Sequence, residues 1–440
     1  MRKMKDSGIE WIGEIPQEWD VRRIKFTLDA HSGGAWGANE GEDEADIICV
    51  RVADFDYSQL TVDFHDKMTV RSYSAKTITE SSIRSGDILL EKSGGGETTP
   101  VGRSVLFESN EPMMCANFIE WLRPNRSFDS RFLNYWLATA YINGFSKRNV
   151  KQTTGIQNLD VPAFLSERIA SPNVAIQVSI ADYLDQKCAE IDAIIAAKEK
   201  TNELLKERRQ SIIYEAVTKG LDPTVPMKDS GVEWIGEIPE NWSVVALKRV
   251  AKPSTGMTPN KANPEYWDGD IPWFSSKDIK DFYLTDSEDH ITEKAIEDCG
   301  LTLYDANSVV FCARSGILRH TFPVAVMKCQ GTINQDLRVL TTANSVDPDF
   351  LMYYLRGMNN TIVTLYQKIG ATVESIETDW LLYLPTVLPP TEEQRTIANG
   401  ITARCDEINN LITTNDISIQ KLKEYRQSVI YEAVTGKVEI

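Results

Sequence analysis

The stretch KDSGIEWIGEIPQEWDVRRIK, residues 5–25, returns as KDSGVEWIGEIPENWSVVALK at residues 228–248, with 14 of 21 positions identical. A second peptide is also duplicated, since LKERRQSIIYEAVT at 205–218 matches LKEYRQSVIYEAVT at 422–435 in 12 of 14 positions. The first pair is offset by 223 residues and the second by 217, so the middle of the second copy is about six residues shorter. The chain is therefore a tandem repeat with a period near 220, far longer than a solenoid repeat, and each copy is a domain with an attachment.

The composition is that of a globular protein of two or three domains, with 440 residues of which 42% are hydrophobic and 25% charged. The first residues, MRKMKDSGIEW, hold no apolar stretch of signal-peptide length, and no run of about 18 apolar residues follows. We therefore expect neither export nor a membrane span. The seven cysteines are scattered without a CxxC pair, as expected of reduced thiols in a cytoplasmic protein.

The formal net charge of −17 argues against a simple nucleic-acid-binding domain, because such domains are usually basic. It does not exclude nucleic-acid binding, since contact is made by local patches and a subunit of a larger complex can use the positive charge of its partners. The charge therefore leaves both a nucleic-acid-binding and a protein-binding role open.

The matching ends of the two copies have the spacing of long paired helices. From residue 184 to 216, and again from 401 to 433, the seam positions recur at alternating steps of four and three, as the a and d positions of a heptad do. Both seams are apolar at their ends and polar in the middle, at Asn202 and Asn415 among others, and a polar residue there costs stability but can fix register. A helix from Val174 to Val217 would be roughly 66 Å long. Two unrelated surface helices are the alternative, but seams of equal length favour mutual pairing.

The segments between these ends differ in residues but agree in the order of elements that they predict. Short strands are predicted in the first copy by ADIICVRVADF, GDILLEKSG and RSVLFES, and in the second by IPWFSSKDI, NSVVFCARSG and FPVAVMK. A helical patch follows each set, RFLNYWLATAYING in the first and DFLMYYLRGMNN in the second. The two middles are therefore expected to share one mixed α and β fold with different surfaces.

This layout resembles the DNA-specificity subunit of Type I restriction–modification systems, over essentially the whole chain. The most specific motifs are the doubled DSGxEWIGEIPxxW opening, the doubled LKExRQSxIYEAVT ending, and Pro-x-x-x-x-Gln-x-x-Ile-Ala at residues 172–181 and 389–398. The segments LLEKSGGG, VFCARSG, CANFIEW and TINQDLRVL are also similar to that family. The first copy departs at its helix start, where residues 174–176 are Val, Ala and Ile while residues 391–393 are Thr, Glu and Glu. We expect an altered local contact there.

The resemblance implies an α/β (α+β) fold in which two similar mixed α/β target-recognition domains are joined by two long helices pairing as an antiparallel coiled coil, a pseudo-two-fold tandem repeat. The expected divisions are a first target-recognition domain at 1–171, a first helical spacer at 172–220, a linker and second target-recognition domain at 221–388, and a second helical spacer at 389–440. Two copies with different reading surfaces imply a bipartite, asymmetric DNA site whose unread spacer the helices set. The repeated WIGEIP segment would then be scaffold, with its Trp and Ile side chains packed in the core.

The resemblance also implies that the chemistry resides in partner subunits. These are two copies of a methylating subunit that uses S-adenosylmethionine on adenine, and motor–nuclease subunits that use ATP and Mg. This chain itself is expected to bind double-stranded DNA in the cytoplasm and to need neither cofactor nor metal.

The sequence holds no catalytic motif of its own. Neither GGGETTP nor VTGKVEI is a phosphate-binding P-loop, and NPEYW at 263–267 lacks the second proline of an amino-methyltransferase motif. The four histidines have no metal-ligand spacing. Asp87, Glu91 and Lys92 lack the spacing of a nuclease cluster, and we expect them to be solvated charges at a strand end.

Candidate DNA-contacting residues lie in loops that follow short strands, since Arg, Lys, Asn, Gln, Ser and Thr side chains address base edges. In the first domain they are Arg51, Lys92, Ser93, Arg103, Lys147, Arg148, Lys151, Gln152 and Thr153. In the second domain they are Ser275, Lys277, Arg314, Ser315, Arg319, His320 and Lys368. The strongest single stretch is KRNVKQTTG at 147–155, which is locally basic and polar. Each residue has the alternative of a solvated side chain or a phosphate contact without sequence preference, and Asn117 and Asn334 that of a turn cap.

Two other classes of function fit part of the sequence. A self-contained methyltransferase would need a cofactor motif, which is absent. A coiled-coil scaffold that binds proteins without recognising DNA sequence explains the helices and the negative charge, but not why two domain surfaces diverge within one frame.

Overall fold

The chain divides into two units. The computed structural model describes residues 2–96, 98–153, 156–368 and 373–440, while the side chains of Gln152 and Thr153 lie outside the described part. Unit 1 comprises Met1–Lys198 and Ile417–Ile440, and unit 2 comprises Glu199–Asp416. Each unit thus combines the domain of one copy with helical segments from both copies.

Unit 1 is a mixed α/β unit. Its strands are β1 (Met4–Asp6), β2 (Glu14–Pro16), β3 (Asp20–Arg23), β4 (Leu28–Gly33), β5 (Ala45–Val50), β6 (Phe55–Asp56), β7 (Thr61–Val62), β8 (Val70–Tyr73), β9 (Ile88–Glu91), β10 (Ser104–Leu106), β11 (Met114–Cys115), β12 (Ile119–Pro124), β13 (Val150–Thr153), β14 (Ile156–Leu159) and β15 (Arg168–Ser171). Its helices are α1 (Ala75–Ser81), α2 (Ser130–Ile142), α3 (Val161–Ser166) and the first part of α4 (Val174–Lys219).

Unit 2 has the same kinds of element. Its strands are β16 (Met227–Asp229), β17 (Glu237–Pro239), β18 (Ser243–Ala246), β19 (Ala251–Thr255), β20 (Trp267–Phe274), β21 (Tyr283–Leu284), β22 (Asp289–Ile291), β23 (Val309–Cys312), β24 (Val324–Met327), β25 (Thr332–Ile333), β26 (Leu337–Thr342) and β27 (Pro385–Leu388). Its helices, besides the end of α4, are α5 (Glu293–Cys299), α6 (Pro348–Gly357), α7 (Asn359–Leu365), α8 (Thr378–Leu381) and the first part of α9 (Thr391–Val434).

The two units share the strand order of their larger sheets, except that the main sheet of unit 1 has an additional edge strand, β6. The main sheet runs β4-β12-β9-β10-β7-β6 in unit 1 and β19-β26-β23-β24-β21 in unit 2, and the three-stranded sheets run β11-β5-β8 and β22-β20-β25. The central strands β9 and β23 are buried along their whole length, which explains their continuous apolar runs. The expectation of one mixed α/β fold with divergent residues is confirmed, although the pairwise match of residues is low.

The long helices pair antiparallel, as predicted. In unit 2, Asn202 Nδ2 donates to Asp416 Oδ1 at 2.8 Å, while Arg209, two turns further along α4, donates to Asn409 of α9 at 2.5 Å. In unit 1 part of the seam is apolar, with Ile191 of α4 in one buried cluster with residues of α9. The helices of 46 and 44 residues match the predicted length.

The seam departs from the predicted heptad near the end of α4. Ile213 is 2% exposed, whereas Ile212, the predicted seam residue, is only half-buried. The reason is that α4 here packs on the domain of unit 2 as well as on α9, because Ile213 joins the same core cluster as Ile235 and Trp242. The heptad spacing of a two-helix coiled coil therefore holds only where α4 packs on α9 alone.

The duplicated opening peptide packs against the end of a long helix in each unit. In unit 1 the Tyr431 hydroxyl donates to Trp11 O at 3.2 Å, and in unit 2 the Tyr214 hydroxyl donates to Trp234 O at 2.8 Å. Ile and Trp residues of both peptides are buried in the two largest core clusters. The opening of each copy therefore meets the ending of the other copy. The prediction that WIGEIP packs in the core is confirmed for its Ile side chains, whereas Trp11 and Trp234 are only half-buried.

The repeated Pro-x-x-x-x-Gln spacing at each helix start has a physical cause within this chain. Gln177 Oε1 accepts from the backbone N–H of Asp129, and its Nε2 donates to Pro172 O at 2.9 Å. Gln394 makes the same pair of contacts, with Asp347 N at 2.8 Å and Pro389 O at 2.8 Å. Each buried amide thus ties the first turn of a long helix to the start of α2 or α6.

Candidate nucleic-acid interface

In unit 1 the loop that follows β9 meets the β13–β14 hairpin. Ser93 and Asn158 form an antiparallel bridge, and Ser93 Oγ donates to Asn158 Oδ1 at 2.7 Å. Beside it, the backbone N–H of Leu159 donates to Lys92 O at 2.8 Å. The predicted residues on the hairpin and on the 3₁₀ turn that leads into it are Lys147, Arg148, Lys151, Gln152 and Thr153. The structure therefore brings most of the first domain's candidates to one surface, which we call the unit 1 interface.

Unit 2 repeats this arrangement with different residues. The loop after β23 bridges the segment 366–377, since Arg314 pairs with Ser375 and the N–H of Ile376 donates to Ala313 O at 2.8 Å. The predicted residues that share this surface are Arg314, Ser315, Arg319, His320 and Lys368. We call it the unit 2 interface. Ser93 and Arg314 occupy the same place in the two frames.

Lys92 and Arg103 are held by buried carboxylates. Lys92 Nζ lies 3.0 Å from Glu120 Oε2, and Arg103 Nε lies 3.0 Å from Glu91 Oε2. The Arg103 guanidinium also stacks 3.7 Å from the centre of the Tyr57 ring. Burial and the negative charge of Glu91 raise the pKa of the Tyr57 hydroxyl, so Tyr57 stays neutral beneath the guanidinium. Fixed side chains of this kind present a defined donor pattern, because little rotamer freedom is left to lose.

Arg51 and Ser275 hold equivalent turns. Arg51 N and Ser275 N donate to the carboxylates of Asp54 and Asp278, each at 2.7 Å. Arg51 also pairs through its guanidinium with Asp54, and Ser275 is 8% exposed. The nearby Lys277 lies within 3.1 Å of both Glu288 and Asp289.

Four further candidates are exposed but have acidic partners. Arg148 pairs with Glu10 at 2.6 Å and Lys151 with Asp160 at 2.5 Å. Arg319 pairs with Glu374, and its hydrogen bond holds the pKa of that carboxyl below its usual value. Lys368 lies 3.4 Å from Glu377. Such surface pairs are weak, so DNA phosphates can compete for these cations. Ser315 is different, because its hydroxyl caps the 3₁₀ turn Gly316–Arg319.

Lys147, Arg314 and His320 are exposed, and within the described ranges their side chains make no hydrogen bond or ion pair. In each case the backbone is fixed: Arg314 N donates to Asp336 O at 3.1 Å and His320 N to Ile317 O at 3.0 Å. A fixed backbone with a free donor side chain suits contact with base edges. These three residues are therefore the most available base-reading groups of the predicted set.

Comparison with known proteins agrees with this geometry. Residues 239–421 match the family model described as the Type I restriction modification DNA specificity domain. Over 309 residues the chain is 27% identical to the specificity subunit of the EcoR124I/EcoR124II Type I restriction enzyme of Escherichia coli, covering 68% of this chain and 70% of that subunit. Over 435 residues it is 23% identical to the putative Type I restriction enzyme MjaX specificity subunit of Methanocaldococcus jannaschii, covering 98% and 96%. This chain is a Type I restriction–modification specificity subunit.

Solved structures show the same fold as this specificity subunit. A chain from a study of complex assembly and conformational transition in the Type I system aligns with a TM-score of 0.73 at 16% identity, covering 96% of this chain and 99% of the other. The HsdS subunit of Thermoanaerobacter tengcongensis aligns with a TM-score of 0.53 at 15% identity, covering 96% and 98%.

Two residues at the unit 1 interface of the specificity subunit were not predicted from the sequence. His31 Nδ1 lies 2.9 Å from Glu120 Oε1, beside Lys92, although His31 and Glu120 are 89 residues apart. Phe118 is 51% exposed, and its carbonyl accepts from Lys92 N at 2.8 Å. Only the sheet register brings these residues together, so the sequence holds no local signal for them.

The acidic residues near β9 correct an expectation. Asp87 and Glu91 are 1% and 3% exposed, and are therefore not solvated charges at a strand end. Asp87 is paired with Arg123 at 2.7 Å, and Glu91 with Arg103. Buried carboxylates need such partners because an isolated buried charge is costly. Asn334 does cap a turn, since its Oδ1 accepts from Asp336 N at 3.0 Å and from Leu337 N at 3.1 Å.

Among the described residues, neither a metal cluster nor a membrane-spanning helix is present. In the part of the chain that the structure describes, no group of three or more His, Cys, Asp or Glu side chains is placed to hold a metal ion. No described helix is both long enough and apolar enough to cross a membrane.

Proposed function

We propose that this specificity subunit recognises a bipartite, asymmetric DNA site, with one interface for each half-site. The observation that carries the proposal is that the two interfaces share their backbone bridges while their side chains differ. Ser93 stands where Arg314 stands, and Lys92 where Ala313 stands. A shared frame with different donors predicts that each unit docks in the same way and reads a different sequence.

The chemistry on DNA belongs to partner subunits in this proposal. Two methylating subunits use S-adenosylmethionine on adenine, and motor–nuclease subunits use ATP and Mg to cleave. The specificity subunit itself is non-catalytic, which agrees with the absence of a catalytic motif from its sequence. The complex acts in the cytoplasm, and its partners supply positive charge that offsets the net charge of −17.

The paired helices supply the unread spacer of the site. Buried polar residues such as Asn202, 5% exposed, fix the register of the two helices. A fixed register defines a fixed distance along DNA, which a flexible linker could not do.

A methylation map tests the proposal. The chain is co-expressed with its methylating partner in a host without adenine methylation, and methylated adenine is detected by direct sequencing. We expect a two-part motif with an unread gap that disappears when this chain is omitted. Exchanging residues 249–378 for those of another family member should change one half of the motif and leave the other half intact.

Two outcomes would contradict the proposal. A soluble, assembled complex that yields no motif would leave the role of a protein-binding scaffold. A domain exchange that alters both halves together would show that the units do not read independently.

A further inference from the structure

Unit 2 contains an open cavity of about 720 Å³ between α4, the loop after β20 and the start of α7. Its lining includes four cationic side chains and an aromatic wall: Arg209, Lys277, Lys280, Arg356 and Phe282. Ile317 and Thr321, from the segment that carries Arg319 and His320, complete one side. The cavity is therefore contiguous with the unit 2 interface.

Two guanidinium groups of this cavity lack acidic partners among the described residues. Arg356 donates to the backbone carbonyls of Val324 and Asp281 at 2.8 and 2.7 Å, and lies 4.3 Å from the centre of the Phe282 ring. Arg209 donates to the neutral side chain of Asn409. Burial, with the positive charge of Arg209 next in size, lowers the pKa of Arg356 to about 10. The group stays protonated at neutral pH, and its environment favours an added negative charge.

At the equivalent place in unit 1, the arginine is paired with a carboxylate. The repeat offset of 217 matches Arg209 with Arg426, and Asn409 with Asp192. Arg426 Nε lies 3.2 Å from the Asp192 carboxylate, so this guanidinium already has its anion.

At two more equivalent positions the residue of unit 2 is more positively charged than that of unit 1. The matched starts of α2 and α6 place Ala138 where unit 2 has Arg356, and the matched turns at Asp54 and Asp278 place Asp56 where unit 2 has Lys280. Each change from unit 1 to unit 2 removes a negative charge or adds a positive one. The positive charge of the cavity is therefore a property of unit 2 and not of the shared fold.

We propose that this cavity of unit 2 binds a phosphate group, supplied by the DNA backbone beside the second half-site. Guanidinium groups suit phosphate because their planar fork donates two parallel hydrogen bonds. Lys277 and Lys280 lie on the rim, where Glu288 pairs with both and Asp289 pairs with Lys277. These surface pairs are weak, so a phosphate at the entrance can compete for the two lysines. This proposal rests on DNA recognition by unit 2 and makes binding stronger on one side of the site.

The test uses the assembled complex of this chain with its methylating subunit, bound to DNA that contains its methylation motif. Asn409→Asp gives the cavity the acid that unit 1 has, at nearly constant volume. Lys280→Asp, at a side chain that is 70% exposed, is a second variant whose folding is not in question. Asp192→Asn in unit 1 is the matched control, because it makes the reverse exchange at the equivalent place.

We expect Asn409→Asp and Lys280→Asp each to weaken DNA binding by about tenfold near 0.1 M salt, and to lower the slope of log K against log salt by about 1. The preference for the motif over other sequences should stay unchanged, and Asp192→Asn should not lower the slope. A methylphosphonate placed at one backbone position beside the second half-site should reproduce the loss. In that DNA, Asn409→Asp should have no further effect, since both changes remove the same contact.

Unchanged affinity and slope in both variants, with motif preference intact, would overturn the phosphate site and leave the proposed function standing. A wild-type complex without motif preference would instead overturn the proposed function. A thermal unfolding experiment with inorganic phosphate distinguishes a site for free phosphate from a site for a DNA phosphate. Phosphate could raise the melting temperature of the wild-type complex but not of the Asn409→Asp complex, while no methylphosphonate position abolishes the effect of Asn409→Asp on DNA binding. The cavity would then bind free phosphate, and the assignment to a DNA phosphate would be wrong.

Discussion

The indole N–H of Trp242 donates a hydrogen bond of 3.0 Å to the carboxylate of Glu393, at the start of α9. The equivalent Trp19 is equally buried, yet its Nε1 has no hydrogen-bond partner among the described residues. The repeat offset of 217 places Ile176 where unit 2 has Glu393. The expected change of a local contact at this helix start is confirmed: Glu393 accepts from both Asn241 and Trp242, and the Ile176 side chain can accept from neither equivalent residue.

Exchanging the residues at this position should change stability in opposite directions. Glu393→Ile leaves the Trp242 N–H unpaired and should cost about 1–3 kcal/mol, whereas Ile176→Gln offers Trp19 an acceptor and should stabilise by up to about 1 kcal/mol. Glutamine is preferred to glutamate there because Glu18 lies in the same surface hollow as Ile176. Urea unfolding of both variants measures the two effects. Equal destabilisation by both would show that packing, and not the indole hydrogen bond, decides the outcome.

Gly256 should tolerate no side chain. A Cβ there would lie 1.8 Å from Ile333 O, because Met257 N donates to that same carbonyl at 3.0 Å and holds the two backbones close. Gly256→Ala should therefore cost about 3 kcal/mol or more. Gly96→Ala is the control, since a Cβ at Gly96 meets nothing within 4 Å, and its effect should stay within about 0.5 kcal/mol. A mild effect at Gly256 in thermal unfolding would mean that β19 and β25 can separate without loss.

Features that depend on residues close together in the sequence could be predicted, whereas contacts between residues far apart in the sequence could not. The long helices could be predicted from the heptad spacing of their residues, which is a local pattern, whereas the scaffold role of the opening peptide came from the family resemblance. Contacts such as His31 with Glu120 depend on which strands are neighbours, and no local pattern encodes that. For the same reason Asp87 could be taken for a solvated residue, although Arg123 pairs with it from a strand 36 residues away.

Two buried thiols should make the stability of the fold fall at high pH. Burial raises the pKa of Cys312 and of Cys405 from 9.0 to about 11. Both thiols keep their protons in the folded state while the unfolded chain loses them, so the stabilisation is complete below about pH 9 and is lost as pH rises through about 11. Each thiol should account for roughly 1 kcal/mol of the loss between about pH 8 and pH 10.

Urea unfolding across this pH range measures the effect. The Cys312→Ala and Cys405→Ala double variant should lose about 2 kcal/mol less than the wild-type protein between about pH 8 and pH 10. Between about pH 6 and pH 8 the two proteins should show the same pH dependence, which is the internal control. Parallel curves over the whole range would mean that these thiols titrate alike in the folded and unfolded states.

Arg314 is the residue most suited to read a base in the second half-site, because its backbone is bridged to Ser375 while its guanidinium has no partner in the described ranges. Arg314→Ala should weaken discrimination at one position of that half-site by about 1–3 kcal/mol and leave the first half-site unchanged. Arg404→Ala, which removes the same charge from an exposed position of α9, is the matched control. The measurement is competition binding of the assembled complex to DNAs that differ at single positions. A uniform loss over all sequences, with a salt slope lowered by about 1, would assign Arg314 to a phosphate instead of a base.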